Sequence, residues 1–186
     1  MTSQTDQRSL FESIWGEHRL QVLAYCLRRA TSTDAEDACA ETFLVVWRRI
    51  DEVPADPKTL PWLYGIARRV LSNQSRSFHR RSRLYAKLGS LGVTPAADPS
   101  LVVLRSAEDR AVVDAVRRLK PKDREIVMLD VWEELTREQI AELLGMNRAT
   151  VDQRIHRSYQ RLARTLEPRL EIRPLLSPPV AEEGET

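Results

Sequence analysis

Apolar side chains recur along most of this chain at helical spacing, and alternating strand patterns are nearly absent. One stripe predicts a long amphipathic helix over residues 8–29, and it consists of Phe11, Ile14 or Trp15, Val22 and Cys26. Thr33 and Glu36 fit a capping box, which predicts a second helix from there to about Ile50. The loop that follows carries two prolines, and Pro61 suits the first turn of a third helix over residues 61–83.

The strongest pattern is a tight pair of helices over residues 136–166. Thr136 and Gln139 fit another capping box, Gly145 can end a helix with positive φ, and Asn147 can cap the next helix. That next helix has an apolar side (Val151, Ile155, Leu162, Leu166) and a basic side (Arg148, Arg154, His156, Arg157, Arg161, Arg164). A scaffold helix, a glycine turn and an arginine-faced helix are typical of a helix-turn-helix that reads the DNA major groove.

Changes in composition divide the chain into two helical units. We predict an all-α fold of two small domains, residues 8–83 and residues 107–167, the second containing the helix-turn-helix. Residues 84–106 between them include Gly89, Gly92, Pro95 and Pro99, which predicts a flexible linker. Residues 168–186 combine four prolines with acidic side chains and are predicted to be a disordered tail.

The overall composition limits which cellular compartment and which types of function are plausible for this chain. The formal net charge is only +2, so the chain is not a nonspecific polycation. Two cysteines do not make a disulfide framework, and both lie on apolar stripes, which favours small buried thiols over a redox switch. No signal peptide and no apolar run of membrane-spanning length is present, so we expect a cytoplasmic protein.

The residue types that usually act in catalysis or metal binding do not form a recognisable motif in this sequence. His18, His79 and His156 are scattered and lack metal-ligand spacing with either cysteine. There is no glycine-rich phosphate loop and no nucleophile–base arrangement. We therefore predict no metal, no cofactor and no catalytic site.

The second predicted helix has an acidic side, whereas the third predicted helix has a basic side. Asp34, Asp37 and Glu41 share one side of the second helix, which is either a solvated acidic face or a docking surface for a basic partner. From residue 62 to residue 83 there is no acidic residue, and one stripe carries Arg69, Asn73, Arg76, Arg80 and Arg83, with Arg68 and Arg81 beside it. A solvated face normally mixes signs, so this stripe favours phosphate contact. Trp62 and Tyr64 at its start suit either core packing or stacking on an unpaired base.

Three segments in this order resemble the bacterial sigma factors of the small, two-domain extracytoplasmic-function (ECF) type, in the sigma-70 family. The segments are DAEDACAETFLVVWRRI, LPWLYGIARRVL and DREIVMLDVWEELTREQIAELLGMNRATVDQRIHRSYQRL, and the resemblance covers about residues 10–166. It implies a dissociable specificity subunit that binds core RNA polymerase, directs it to promoters and promotes DNA melting. The subunit itself would have no catalytic site.

The resemblance assigns a role to each charged surface. The second helix would dock on the beta-prime clamp helices of polymerase through Asp34, Glu36, Asp37, Glu41, Phe43 and Trp47. The loop of residues 53–60 and the third helix would bind the single-stranded −10 element, the helix through Trp62, Arg68, Arg69, Asn73, Arg76 and Arg80. The last helix would read the −35 element through Arg148, Thr150, Asp152, Gln153, Arg154, His156 and Arg157. The resemblance also implies the beta flap and an anti-sigma factor as partners, and a linker that threads toward the polymerase active centre.

The recognition helix departs from the family pattern at one charged position. Where related chains often have Gly-Thr-Val-Lys-Ser-Arg, residues 149–154 read Ala-Thr-Val-Asp-Gln-Arg. Asp152 thus stands in place of a usual lysine; a carboxylate is unfavourable near phosphates but can accept a hydrogen bond from a cytosine amino group. We therefore expect a −35 preference that differs from the family norm.

Two other classes of protein also fit parts of the sequence. A conventional helix-turn-helix repressor or activator would bind duplex palindromes as a dimer without polymerase. A scaffold protein would use both charged faces to bind proteins. The repressor leaves the acidic helix and the arginine stripe unexplained, and the acid-free stripe argues against the scaffold.

Overall fold

The structure is a computed structural model that describes residues 4–87 and 107–166. Its helices are α1 (Gln4–Leu27), α2 (Ser32–Arg48), α3 (Thr59–Lys87), α4 (Ala107–Arg117), α5 (Pro121–Val131), α6 (Arg137–Leu144) and α7 (Arg148–Leu166), with a 3₁₀ turn at Ile50–Glu52. Because no described residue forms a strand, the predicted all-α class is confirmed. Helix α3 includes residues 84–87, the first four positions of the predicted linker of residues 84–106. The remainder of that linker and the predicted tail lie outside the described residues.

The second helix begins earlier than the sequence pattern predicted. Its N-cap is Thr31, whose hydroxyl oxygen accepts a hydrogen bond from the backbone N–H of Asp34 at 3.3 Å and donates to the Asp34 carboxylate at 2.8 Å. The predicted capping box of Thr33 and Glu36 is therefore wrong. Thr31 and Asp34 have the same spacing, and they satisfy the free N–H groups of the helix one half-turn earlier.

The first three helices form one domain around an apolar core. Helix α1 packs against both α2 and α3, and Val22, Tyr25, Phe43 and Leu63 are almost fully buried between them. The sequence left open whether Ile14 or Trp15 belongs to the apolar stripe of α1. Ile14 is the buried residue, whereas Trp15 is 37% exposed. This packing leaves the outward faces of α2 and α3 free to carry charge.

The helix-turn-helix has the caps that its sequence predicts. Thr136 and Gln139 form the reciprocal capping box, and Gly145 ends α6 in the left-handed region with φ 63° and ψ 41°. The side-chain oxygen of Asn147 accepts a hydrogen bond from the backbone N–H of Thr150 at 2.7 Å. Helix α7 buries its predicted apolar side, namely Val151, Ile155, Leu162 and Leu166.

The two domains are in direct contact. Helix α3 contacts α6, and one apolar cluster includes Tyr64 and Val70 of the first domain together with Ile126 and Ile140 of the second. A separate cluster inside the second domain joins α4, α5 and α7. The direct contact was not predicted, because it places together residues about 55 to 75 positions apart in sequence.

Candidate nucleic-acid interface and protein-docking face

The acidic side of α2 faces solvent along its whole length. Asp34, Glu36, Asp37 and Glu41 are all exposed. The opposite side is buried against α1 and α3 through Ala35, Ala38, Cys39, Thr42, Phe43 and Val46. The carboxylates therefore project from a rigidly packed helix, as a protein-docking face requires.

Aromatic side chains of α1 and α2 form a cluster beside this acidic face. Phe43 is only 2% exposed and packs edge-on against Trp15, with ring centroids 4.6 Å apart. Trp47 is 41% exposed and contacts Phe11 at 5.3 Å. Of the two predicted docking residues, Trp47 therefore reaches the surface, whereas Phe43 lies in the core and supports the cluster. The i, i+4 spacing of Phe11 and Trp15 was the available signal for this cluster.

The predicted basic stripe of α3 is exposed over the part whose side chains are described. Its exposed members are Arg68, Arg69, Asn73, Arg76 and Arg80. Leu63, Ile66 and Val70 lie on the buried side of the same helix. Arg76 donates hydrogen bonds to the Asn73 side-chain oxygen at 2.7 Å and to the Ser72 carbonyl at 3.2 Å. These bonds hold the guanidinium along the helix surface, beside the other arginines.

The two aromatic residues at the start of α3 have different surroundings. Tyr64 is 3% exposed and stacks on Tyr25 with ring centroids 4.9 Å apart, so it is a core residue. Trp62 is half-buried, and the Arg49 guanidinium lies 5.7 Å from its ring centroid. The preceding loop is tied to the helix by a hydrogen bond from the Thr59 hydroxyl to the Pro54 carbonyl at 2.7 Å. Trp62 is thus the aromatic side chain that could stack on a base.

Ion pairs connect the start of the recognition helix α7 to α6. Arg148 is exposed and pairs with Glu138 at 2.6 Å. The Asp152 carboxylate lies 3.6 Å from Arg137 and 3.7 Å from Arg148, and Arg137 also pairs with Asp130. The unusual carboxylate at position 152 therefore lies between two arginines, which offset its charge. Its side chain is 46% exposed and remains open to a DNA base.

Arg154, in the middle of α7, contacts α5. Its guanidinium donates to the Asp123 carboxylate at 2.6 Å, and its side chain is 33% exposed. The pair borders a cleft of about 600 Å³ whose charged lining consists of Lys120, Lys122, Asp123, Arg154, Arg157 and Arg161. Five cations and one carboxylate suit a polyanion such as a phosphate backbone. Sequence reasoning missed Asp123, Lys120 and Lys122, because no local pattern places them beside α7.

Thr150, Gln153, His156 and Arg157 complete the predicted −35 set. Gln153, His156 and Arg157 are exposed, and Thr150 is half-buried at the cleft. The ring Nε2 of His156 is 2.9 Å from the Gln160 side-chain nitrogen. These side chains lie on the face of α7 opposite its buried stripe, so the structure brings the predicted set together on one surface.

Both cysteines are free and buried, as predicted. Burial raises the pKa of the Cys26 thiol to about 12 and also raises the pKa of the Cys39 thiol. Within residues 4–87 and 107–166, no group of three or more His, Cys, Asp or Glu side chains is placed to hold a metal ion. None of the helices in those ranges is both long and apolar enough to cross a membrane.

Comparisons with known families match both domains in order. Residues 14–82 match the model for Sigma-70 region 2, and residues 109–162 match the model for Sigma-70, region 4. A probable RNA polymerase sigma factor, RfaY of Xanthomonas campestris, is 34% identical over 128 residues, which are 67% of this chain and 32% of that protein. The ECF RNA polymerase sigma factor BldN of Streptomyces coelicolor is 29% identical over 168 residues, 88% of this chain and 63% of BldN. The chain thus spans less than two thirds of either relative.

A solved structure shares the fold. The sigma factor RpoE, in complex with the anti-sigma factor NepR from Bartonella quintana, superposes with a TM-score of 0.65 at 21% identity, over 86% of this chain and 98% of RpoE. The fold and the ordered matches to both sigma regions agree with the resemblance noted from the sequence. This chain belongs to the ECF type of the sigma-70 family.

Proposed function

We propose that this chain binds core RNA polymerase, directs it to promoters through their −10 and −35 elements, and favours the melted state of the promoter. The chain makes and breaks no covalent bond, because polymerase does the chemistry. The observation that carries the proposal is the order of the two sigma-region matches, each on a domain whose exposed charge suits a different partner. The acidic face of α2 suits a protein, whereas the basic faces of α3 and α7 suit DNA.

The docking face for polymerase is the exposed acidic side of α2 together with Trp47. Four carboxylates give the surface its charge: Asp34, Glu36, Asp37 and Glu41. Trp47 adds an apolar anchor that is 41% exposed. A large aromatic side chain beside a charged rim is typical of a protein interface. We assign the beta-prime clamp helices to this face.

The −10 element binds α3 and the loop before it as single-stranded DNA. The arginines of the exposed stripe contact phosphates, and half-buried Trp62 stacks on a base. Unstacking a base costs a few kcal/mol, and capturing the extruded base offsets that cost. Melting is favoured because this surface binds only the opened strand.

The −35 element binds α7 as duplex DNA. Arg148, Gln153, Arg154 and Arg157 lie on the outward face of this helix and reach base edges or phosphates. The basic cleft between α5 and α7 adds phosphate contacts beside the groove. Asp152 biases the base preference, because its carboxylate accepts from a cytosine amino group and repels phosphate.

An anti-sigma factor and the beta flap are the remaining partners that we propose. The structure of the similar sigma factor RpoE contains the anti-sigma factor NepR, which motivates the proposal of an anti-sigma factor here. Such a factor would compete with polymerase for α2, and it could hold the protein at the membrane. Otherwise we expect the protein to work in the cytoplasm at the nucleoid.

Run-off transcription with purified core polymerase on a genomic promoter library tests this function. Discrete transcripts that require the added chain are expected, and aligning their start sites would give both promoter elements. If the chain instead bound duplex palindromes as a dimer and never associated with core polymerase, a conventional helix-turn-helix regulator would replace the proposal.

A further inference from the structure

A single carboxylate joins three helices of the second domain. Asp130, in the last turn of α5, accepts hydrogen bonds from the Tyr159 hydroxyl on α7 and from the Arg137 guanidinium at the start of α6. The Asp130 side chain is only 14% exposed. A carboxylate with so little contact to water needs protein donors, and these two bonds use one oxygen each. Arg137 is therefore anchored through one nitrogen of its guanidinium, Nη1.

Another nitrogen of the Arg137 guanidinium faces the recognition helix. The Arg137 Nε lies 3.6 Å from Oδ1 of Asp152, and the Arg148 Nε lies 3.7 Å from Oδ2 of the same carboxylate. Each oxygen of Asp152 thus has one arginine beside it, which orients the carboxylate. Both distances are too long for hydrogen bonds, so the lone pairs of Asp152 remain free to accept from another donor.

Of these two arginines, Arg137 is the better fixed. Its side chain is 32% exposed and is held by Asp130 on α5. Arg148 is 64% exposed, and its partner Glu138 is 58% exposed. A long exposed side chain keeps much of its rotamer freedom, and an exposed ion pair restricts that freedom little. Arg137 is therefore the residue that ties Asp152 to the packed part of the domain.

We propose that Arg137 is a specificity-determining residue for the −35 element and that it acts by positioning Asp152. This inference rests on the proposed function, in which α7 reads duplex DNA. Asp152 lies four residues from Arg148 and four from His156, so the three side chains share one stripe of α7. On that stripe the oriented carboxylate accepts a hydrogen bond from the amino group of a cytosine in the major groove. Arg137 acts through Asp152 and touches no base.

The charge of Arg137 also favours a carboxylate at this position. A carboxylate alone would be repelled by the phosphates on either side of the groove. A guanidinium beside each of its oxygens offsets that repulsion. A lysine at position 152, as in the pattern of related sigma factors, would instead face both guanidinium groups. Arg137 and Asp152 are therefore a matched pair, and replacing either residue should reduce base preference.

Selection of bound sequences from a randomised duplex library, with the full chain and no polymerase, tests this role. We expect the parent chain to prefer C·G by about tenfold at one base pair, as one hydrogen bond to a charged acceptor allows. Asp152→Ala should abolish that preference. Arg137→Gln should reduce it by about threefold or more at the same base pair and leave the other positions unchanged. Adding Arg137→Gln to Asp152→Ala should change the preference no further, because the two residues act as a unit.

Arg137→Lys separates orientation from charge. It retains a cation for Asp130 but lacks the fork that reaches two carboxylates, so it should keep the overall affinity and lose the preference for C·G. Arg110→Gln is the matched control, because it removes one guanidinium from an exposed position of α4 in the same domain. It should leave the preference unchanged. Circular dichroism checks that each variant is folded, and Arg137→Lys decides the test if Arg137→Gln is destabilised.

Three outcomes would overturn the positioning role. They are a parent chain without an Asp152-dependent preference, a folded Arg137→Lys chain with the full parental preference, and an Arg137→Gln chain whose affinity falls equally for all sequences. The last result would make Arg137 a phosphate contact. A chain that shows the expected coupling on duplex DNA but never directs polymerase to promoters would overturn only the proposed function.

Discussion

Asp123 on α5 accepts a hydrogen bond from the Arg154 guanidinium on α7 at 2.6 Å. Asp123 is 8% exposed and its backbone lies in the first turn of α5, so its carboxylate is fixed in place. A fixed carboxylate restricts the rotamers of the arginine that it binds. Arg154 is therefore held at the edge of the basic cleft before DNA arrives, and less conformational entropy is lost on binding.

This relationship predicts two linked effects on −35 recognition. Arg154→Ala should weaken binding to the −35 duplex and relax preference at one base pair, by about 1–3 kcal/mol if the contact is bidentate. Asp123→Asn keeps the arginine but weakens its orienting bond, so a smaller loss at the same base pair is expected. Competition binding with duplexes changed at one position at a time measures both variants.

The double variant separates orientation from independent contacts. If Asp123 acts through Arg154, adding Asp123→Asn to Arg154→Ala should have little further effect. Asp114→Asn on α4 is the control, because it removes an exposed carboxylate away from the cleft and should not change base preference. Fully additive losses, or losses at different base pairs, would show that Asp123 does not position Arg154.

Reversing the charge of Asp37 should disrupt polymerase binding selectively. Asp37 is exposed on the acidic face of α2, whose opposite side is buried in the core, so Asp37→Lys should not unfold the domain. A lysine there would repel a basic partner and slow its association. We expect affinity for core polymerase to fall by at least tenfold while binding to the −35 duplex is unchanged.

The control for Asp37 is Glu17→Lys, which makes the same charge change at an exposed position of α1 outside the acidic face. Surface plasmon resonance with immobilised core polymerase compares the two variants. Equal affinities for Asp37→Lys, Glu17→Lys and the parent chain would mean that the acidic face is only solvated.

Arg76 should contribute to DNA binding without reading sequence. It is exposed on the basic stripe of α3, and its bonds to Asn73 and Ser72 direct it along the helix surface. Arg76→Ala should weaken binding to all single-stranded probes alike and lower the slope of log affinity against log salt by about 0.7. Arg8→Ala on α1, an equal loss of charge outside the stripe, should leave the slope unchanged. A slope identical in both variants would remove Arg76 from the phosphate contacts.

Local capping chemistry could be predicted from the sequence where a single residue type decides the geometry. Gly145 suits a left-handed helix end, and Thr136 and Gln139 have one sensible pairing, so α6 and its turn agree with the prediction. The start of α2 differs from the prediction, because Thr31 and Thr33 have the same side-chain chemistry and lie only two residues apart. Which of them caps the helix depends on where the helix meets its neighbours.

Contacts between distant segments could not be predicted. Phe43 and Trp47 lie one helical turn apart on α2, yet the first is buried by Trp15 and Phe11 of α1 while the second stays exposed. Likewise, the local sequence around Arg29 and around Glu133 does not distinguish either side chain from an ordinary surface charge. Only the packing of the domains shows that they are buried against each other.

Burial of Cys26 predicts a loss of stability at alkaline pH. Its thiol is 0% exposed, and burial raises its pKa from 9.0 to about 12. Between pH 9 and pH 12 the unfolded chain releases this proton while the folded chain retains it. The unfolded state therefore binds fewer protons, and the free energy of unfolding falls as pH rises, by up to about 1.4 kcal/mol per pH unit for this group. Below about pH 9 the thiol contributes no pH dependence.

Denaturant unfolding of the parent chain and of Cys26→Ala at pH 8, 9 and 10 isolates this contribution. Burial also raises the pKa of Tyr25, Tyr64 and Tyr159, but these phenols ionise in the unfolded chain only from about pH 10 upward, so the thiols dominate the lower range. The parent chain should lose more stability than the variant between pH 9 and pH 10. Identical pH dependence in the two proteins would mean that the Cys26 thiol ionises as readily in the folded chain as in the unfolded one, and that the centre of the first domain admits water.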